Sequence, residues 1–143
     1  MKILANDGIS QSGAFALTEA GYEVITTNVA QEQLVSFINE NKIIVLLIRS
    51  ATNARKELID SCPSLKIIGR GGVGMDNIDV EYAREKGLSV INTPSSSSSS
   101  VAELVFAHLF GGVRFLFDSN RNMPLEGESN FKGFKRPMLK ELN

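Results

Sequence analysis

Six consecutive residues, Ile43-Ile44-Val45-Leu46-Leu47-Ile48, are apolar without interruption. A half-buried strand alternates and an amphipathic helix carries a stripe, so a short run apolar at every position fits a central strand covered on both faces. Such a strand belongs in a parallel sheet with helices on either side. The remaining sequence is patterned to supply them. Lys2–Ala5, Glu23–Thr26, Leu65–Ile68 and Leu88–Ile91 are brief apolar runs and read as further strands. Between them, helices are expected over Ser12–Ala20, stopped by Gly21, and over Gln31–Asn39, with Leu34, Val35 and Ile38 on one face. Two more are expected over Arg55–Ser61, ending before Pro63, and over Val80–Lys86, stopped by Gly87.

Alternation of strand and helix implies parallel strands joined by right-handed crossovers. The expected fold is a flavodoxin-like, doubly wound α/β domain over residues 1–93. Ligands of such sheets gather beyond the C-terminal ends of the strands. From Pro94 the character changes, and residues 94–143 form a second region. The run Ser95–Ser100 has linker composition, and Ser100-Val101-Ala102-Glu103 spells a capping box that would open a helix over Val101–Phe117. That helix is apolar nearly all round and needs partners on several sides.

Composition narrows the function. Fifteen basic and sixteen acidic side chains leave a net charge of -1, with no basic stripe, so neither nucleic acid nor an anionic membrane surface is an expected partner. The single cysteine, Cys62, makes no intrachain disulfide and suits a reducing compartment; buried and inert is its expected state. Ile3-Leu4-Ala5 is too short for the core of a secretory signal. Glu103, His108, Gly111, Gly112 and Arg114 interrupt the longest apolar stretch, which argues against a membrane span. A cytoplasmic location is expected.

Gly69-Arg70-Gly71-Gly72-Val73-Gly74 matches the letters of a dinucleotide fingerprint, G-x-G-x-x-G. In a true fingerprint a helix opens directly from the loop, and an acid follows about 20 residues later to hold the ribose. Here Met75-Asp76-Asn77-Ile78 intervenes, Asp79 is placed to cap the next helix, and the next strand ends in Asn92-Thr93. The glycines instead suit backbone N–H groups approaching an anion, and Arg70 adds a bidentate fork. A tight turn with a solvated arginine is the plainer alternative. Arg49, followed by Ser50, stands at the end of the all-apolar strand, on the same rim. Two arginines converging there would receive a small dianion; both pointing to solvent is the other reading. His108 has no carboxylate on its helix face and reads as a packed or interface histidine. A receiver domain would need an aspartate where Arg49 stands.

Taken together, Ile48-Arg49-Ser50-Ala51-Thr52, Ile68 through Asp79, and Val90-Ile91-Asn92-Thr93-Pro94 resemble the D-2-hydroxyacid dehydrogenase family. The resemblance is nearest to its serine-biosynthesis branch, which oxidises 3-phospho-D-glycerate to 3-phosphohydroxypyruvate with NAD, and runs from Met1 to about Lys132. It implies that Arg49, Ser50, Arg70 and Gly72 hold a small phosphorylated 2-hydroxy acid, and that Val73 lies beside the nicotinamide end of NAD. It further implies a substrate-binding lobe over 1–93, followed by an isolated long helix of an incomplete Rossmann lobe. The family's acid/base histidine–glutamate pair and its carboxylate-orienting arginine lie further along than this chain matches, so the chain is expected to be inactive alone. The alternative is a small-anion-binding module, or one that pairs subunits as a homo-oligomer through the Val101–Phe117 helix. The segment Phe134–Asn143 does not lead into the family's next strand. A one-base slip in codons for a stretch like Lys-Lys-Ala-Tyr-Ala-Lys reads as Lys-Arg-Pro-Met-Leu-Lys, so a frameshifted or truncated reading frame is expected.

Overall fold

The computed structural model describes residues 1–122, and the Phe134–Asn143 segment lies outside them. Five strands, β1 (Lys2–Ala5), β2 (Glu23–Ile25), β3 (Val45–Ile48), β4 (Ile67–Arg70) and β5 (Ser89–Asn92), form one sheet in the order β2-β1-β3-β4-β5. Every pairing is parallel. Helices α1 (Gln11–Glu19), α2 (Gln31–Asn41), α3 (Lys56–Ser61) and α4 (Val80–Glu85) connect them. The expected α/β fold is present, with its switch point between β1 and β3, where the order of connection reverses.

One continuous core unites Leu4, Leu46, Ile48 and Ile68 of the sheet with Leu34 and Ile38 of α2, Leu58 and Ile59 of α3 and Ala83 of α4. Along β3, Leu46 and Ile48 join this core and Val45 and Leu47 do not, because alternate side chains leave opposite faces of a strand. Coverage of the two faces is unequal. Leu46 and Ile48 are fully buried, whereas Leu47 is half-buried and Ile91, level with it across β4, is 57% exposed. Helix α1 buries none of its residues. The uninterrupted apolar run therefore overstated how completely β3 is enclosed.

Strand boundaries moved for local reasons. Ile43 is buried but outside the ladder, because its N–H closes α2 by bonding Ile38 O at 2.9 Å, after Lys42 takes a left-handed conformation. At the other end, β4 extends through Gly69 and Arg70, residues assigned to a loop on the glycine signal. Glycine is admitted there because Leu47 leans over it: a Cβ on Gly69 would lie 2.8 Å from Leu47 Cδ2.

A second compact unit begins at Ser97, after a first that runs Met1–Ser96. Its helix α5 spans Ser98–Val113, capped by Ser97 without a side-chain hydrogen bond. The capping box at Ser100 is thus not used; Ser98, Ser99 and Ser100 are helical. Nothing in a serine run breaks a helix, and extending a formed helix costs far less than nucleating one. Helix α5 also stops earlier than expected. Gly111 and Gly112 weaken its end, Phe115 takes a positive φ of 51°, and α6 (Leu116–Asn122) continues at 61° to it. Among the described residues no single helix is long and apolar enough to cross a membrane; α5 and α6 reach that length only across the bend.

Candidate functional site

Residues following β1, β3, β4 and β5 meet at the C-terminal rim of the sheet around an open cavity of about 780 Å³. Leu47, Gly69 and Ile91 give it an apolar wall, while Asp7, Ser10, Arg49, Arg70, Asn92 and Thr93 supply polar groups. The parallel register puts Ile48 beside Arg70 and Arg70 beside Asn92. Arg49 therefore issues from the rim one residue beyond its strand, and Arg70 from the last position of its own. Both arginines line the cavity. Ser50, Gly72 and Val73 are outside its lining; they sit on the loops that contribute Arg49 and Gly71.

Arg70 is not held out as a free fork. Its Nη1 donates to Gly74 O, its Nη2 lies 3.8 Å from Asp76 Oδ1, and its side chain is only 14% exposed. Its Nε is buried without a hydrogen-bond partner among the described residues. The guanidinium is folded over the loop that follows β4. That loop is braced from β5: Asn92 Nδ2 donates to Val73 O at 2.7 Å, and Thr93 N–H to Gly72 O at 3.1 Å. Arg49, by contrast, is exposed and forms no ion pair among the described residues.

The glycine loop does not open a helix. Helix α4 starts at Val80, past Ile78, which bridges to Ala54, and Asp79. That geometry lacks the helix N-terminus on which a dinucleotide pyrophosphate rests. Asp79 is the N-cap residue of α4, as expected, but makes no side-chain capping bond there; its carboxylate accepts from Arg55 Nη1 and from Lys56 N–H at the start of α3. The nearby Arg55 guanidinium holds the Asp79 carboxyl below the ordinary carboxylate range.

Asp7 is the site residue that the sequence reading passed over. Its Oδ2 accepts from Arg49 N–H at 2.6 Å and Thr52 N–H at 3.1 Å, and its Oδ1 from the Thr52 hydroxyl. Burial alone would raise its pKa. The Thr52 hydroxyl and the backbone N–H groups of Arg49, Thr52 and Ala51 outweigh that and hold it below the ordinary value. The signal that could have found Asp7 is the one that found Arg49, a charged residue directly after a predicted strand on the ligand-binding rim. His108 is exposed on α5 rather than packed. Cys62 is 1% exposed, and burial pushes its thiol up to about 11.

A five-stranded parallel sheet with two arginines lining a cavity at its switch-point rim defines a doubly wound α/β domain. Residues 3–125 match the model of the D-isomer specific 2-hydroxyacid dehydrogenase catalytic domain, and the chain belongs to that family. It is 38% identical over 135 residues to D-3-phosphoglycerate dehydrogenase of Methanocaldococcus jannaschii, covering 94% of this chain and 25% of that protein. It is 35% identical over 116 residues to hydroxypyruvate reductase of Thermotoga maritima, covering 80% of this chain and 37% of that one. The solved structure of NAD+-bound 3-phosphoglycerate dehydrogenase from Entamoeba histolytica superposes with a TM-score of 0.64 at 30% identity, over 80% of this chain and 39% of the other. The chain thus spans between a quarter and two fifths of the length of these relatives.

Proposed function

We propose that this chain is the substrate-binding lobe of an NAD-dependent D-3-phosphoglycerate dehydrogenase, and that its rim holds 3-phospho-D-glycerate for oxidation to 3-phosphohydroxypyruvate. The observation that carries this is the pair Arg49 and Arg70 lining one cavity at the strand-end rim, in a chain 38% identical to a protein of that name. Arg49, exposed and without an ion pair among the described residues, is the charge available to a phosphate or carboxylate. Ser50 and the backbone at Gly72 extend the same rim. Arg70 joins on release from Gly74 O, since a charged ligand makes a stronger partner than a neutral carbonyl.

NAD is the expected co-substrate, and the residues described fit only its reactive end. Val73 is 51% exposed, and its carbonyl is already occupied by Asn92, so it offers an apolar face to a ring rather than a polar contact. NAD supplies a hydride acceptor; this lobe supplies the pocket beside it. His108 is not among the residues that line the cavity, and the carboxylate that does line it, Asp7, has its oxygens engaged by Arg49 and Thr52 donors. Purified chain is expected to show no NAD reduction with phosphoglycerate.

Calorimetry with 3-phosphoglycerate, comparing the wild-type chain with Arg49→Ala and Arg70→Ala, tests the binding assignment. Lost or much reduced heat in both variants is expected; equal heats in all three would remove the anion site. A second reading, subunit pairing through α5, draws support from Val101, Leu104, Val105, Phe106, Leu109 and Phe110, each more than half exposed. Sedimentation showing a monomer at all concentrations would end it.

A further inference from the structure

The polar side chains buried in the unit Met1–Ser96, among the described residues, are Asn6, Thr52 and Asn77. Thr52 ends the segment Arg49–Thr52, the irregular stretch that follows β3; Asn77 bonds both ends of it, and Asn6 ties Thr52 to Val29, whose N–H and C=O it also binds. Asn77 Nδ2 donates to Arg49 O at 2.8 Å and to Thr52 O at 2.6 Å. Asn6 Nδ2 donates to the Thr52 hydroxyl at 2.8 Å, and that hydroxyl donates on to Asp7. Asp7 in turn takes the N–H groups of Arg49 and Thr52. Both ends of the segment therefore have N–H and C=O bound to side chains distant in sequence. Loops at a surface ordinarily give such groups to water. Burying Asn77 and Thr52 to hold the two ends of this stretch is worthwhile where the backbone must keep one course.

Asp7 also lines the cavity itself. A carboxylate beside an anion site opposes binding by simple Coulomb repulsion. Its presence is accounted for if its oxygens are committed to donors and its work is mechanical. The hydrogen bond from Arg49 to Asp7 crosses the switch point between β1 and β3, and Arg49 projects from the residue so clamped.

We propose that Asp7 is a positioning residue of the anion site: by clamping the Arg49–Thr52 backbone, with Asn77 as the opposing anchor, it sets where the Arg49 guanidinium enters the cavity. This deepens the proposed function and rests on its assignment of Arg49 to the ligand. Preorganisation of this kind acts by sparing the bound state the cost of ordering the loop.

The sign of one substitution separates positioning from charge. Asp7→Asn removes a negative charge near the anion, which by electrostatics alone tightens binding. It also turns one of the two carboxylate oxygens, which between them take two N–H groups and a hydroxyl, into a donating NH2 and leaves the other a weaker, neutral acceptor, which by positioning weakens binding. The experiment is titration calorimetry of the full 143-residue chain with 3-phosphoglycerate, and with inorganic phosphate in parallel, for wild type, Asp7→Asn, Arg49→Ala and the double variant. Asp7→Asn is expected to weaken 3-phosphoglycerate about tenfold when Arg49 is present and by less than about twofold when Arg49 is already alanine. Unchanged or tighter binding overturns the proposal, as does equal weakening in both backgrounds, which would make Asp7 a general support of the fold. If Asp7→Asn does not fold, Asp7→Glu takes its place; it keeps the charge and displaces the clamp, and unaltered affinity there overturns the proposal too. Failure of the underlying assignment has its own signature, no heat from wild type or no effect of Arg49→Ala, and it sinks both.

Discussion

A Cβ placed on Gly72 would lie 2.7 Å from Nη1 of Arg70, so the glycine and the guanidinium occupy one shared space. The arginine reaches Gly74 O across that space. Gly72→Ala is expected to dislodge the guanidinium from its place over the loop, since the obstructing atom is the far end of a flexible side chain, and to strain that loop locally, since Gly72 holds a φ of 159° that side-chain-bearing residues rarely adopt. Phosphoglycerate affinity should fall about fivefold to tenfold, on the order of 1 kcal/mol. Calorimetry beside a thermal melt checks this; unchanged affinity would show that Gly72 does not set the position of Arg70.

Core and surface apolar residues should separate cleanly. Leu46, fully buried in the central strand, is expected to cost about 2–5 kcal/mol as Leu46→Ala, through lost transfer energy and the cavity left behind. Phe15→Ala, at a side chain 67% exposed on α1, should stay within about 0.5 kcal/mol. Urea unfolding of the two variants measures the contrast, and comparable losses would contradict the burial pattern.

Acid sensitivity has a defined sign at Asp7. Its carboxyl is held below the ordinary 3.8 in the folded chain by the Thr52 hydroxyl and backbone donors, which outweigh the opposing effect of burial. A folded-state pKa depressed below the unfolded one gives stability that is fully present above the unfolded value and lost as pH falls through the folded value. The wild-type chain should therefore lose more stability than Asp7→Asn between pH 5 and values below 3.8, and the two should run parallel above that window. Urea midpoints across this range provide the test; parallel curves throughout would deny the depressed pKa.

The Cys62 thiol is raised to about 11 by burial, so at pH 8 on the order of one molecule in a thousand carries the thiolate. A thiol reagent is expected to label the native chain very slowly and the urea-unfolded chain at once, with one equivalent per chain. Fast native labelling would place Cys62 outside the core.

Much of the architecture was legible because it depends on local patterns. Alternating short apolar runs and glycine stops reveal five strands and four helices, and parallel connectivity follows from the chirality of crossovers. The serine run was legible only in part: the boundary between the two compact units falls within it, but α5 also begins inside it at Ser98, since nothing in serine opposes a helix. Gly69 misled: read as punctuation, it is a strand residue that makes room for Leu47.

The amino-acid order by itself determined which strand ends share a rim, and with that the placement of Arg49 and Arg70 at one cavity. Strand order in a doubly wound sheet leaves few choices for where charged residues after strands can go. Only the tertiary structure decided what those charges do. Arg70 turns onto Gly74 O, and Asp7, 42 residues before Arg49, becomes the clamp on its backbone. Side-chain partners at that separation are fixed by packing across the switch point, and no local pattern along the chain records them.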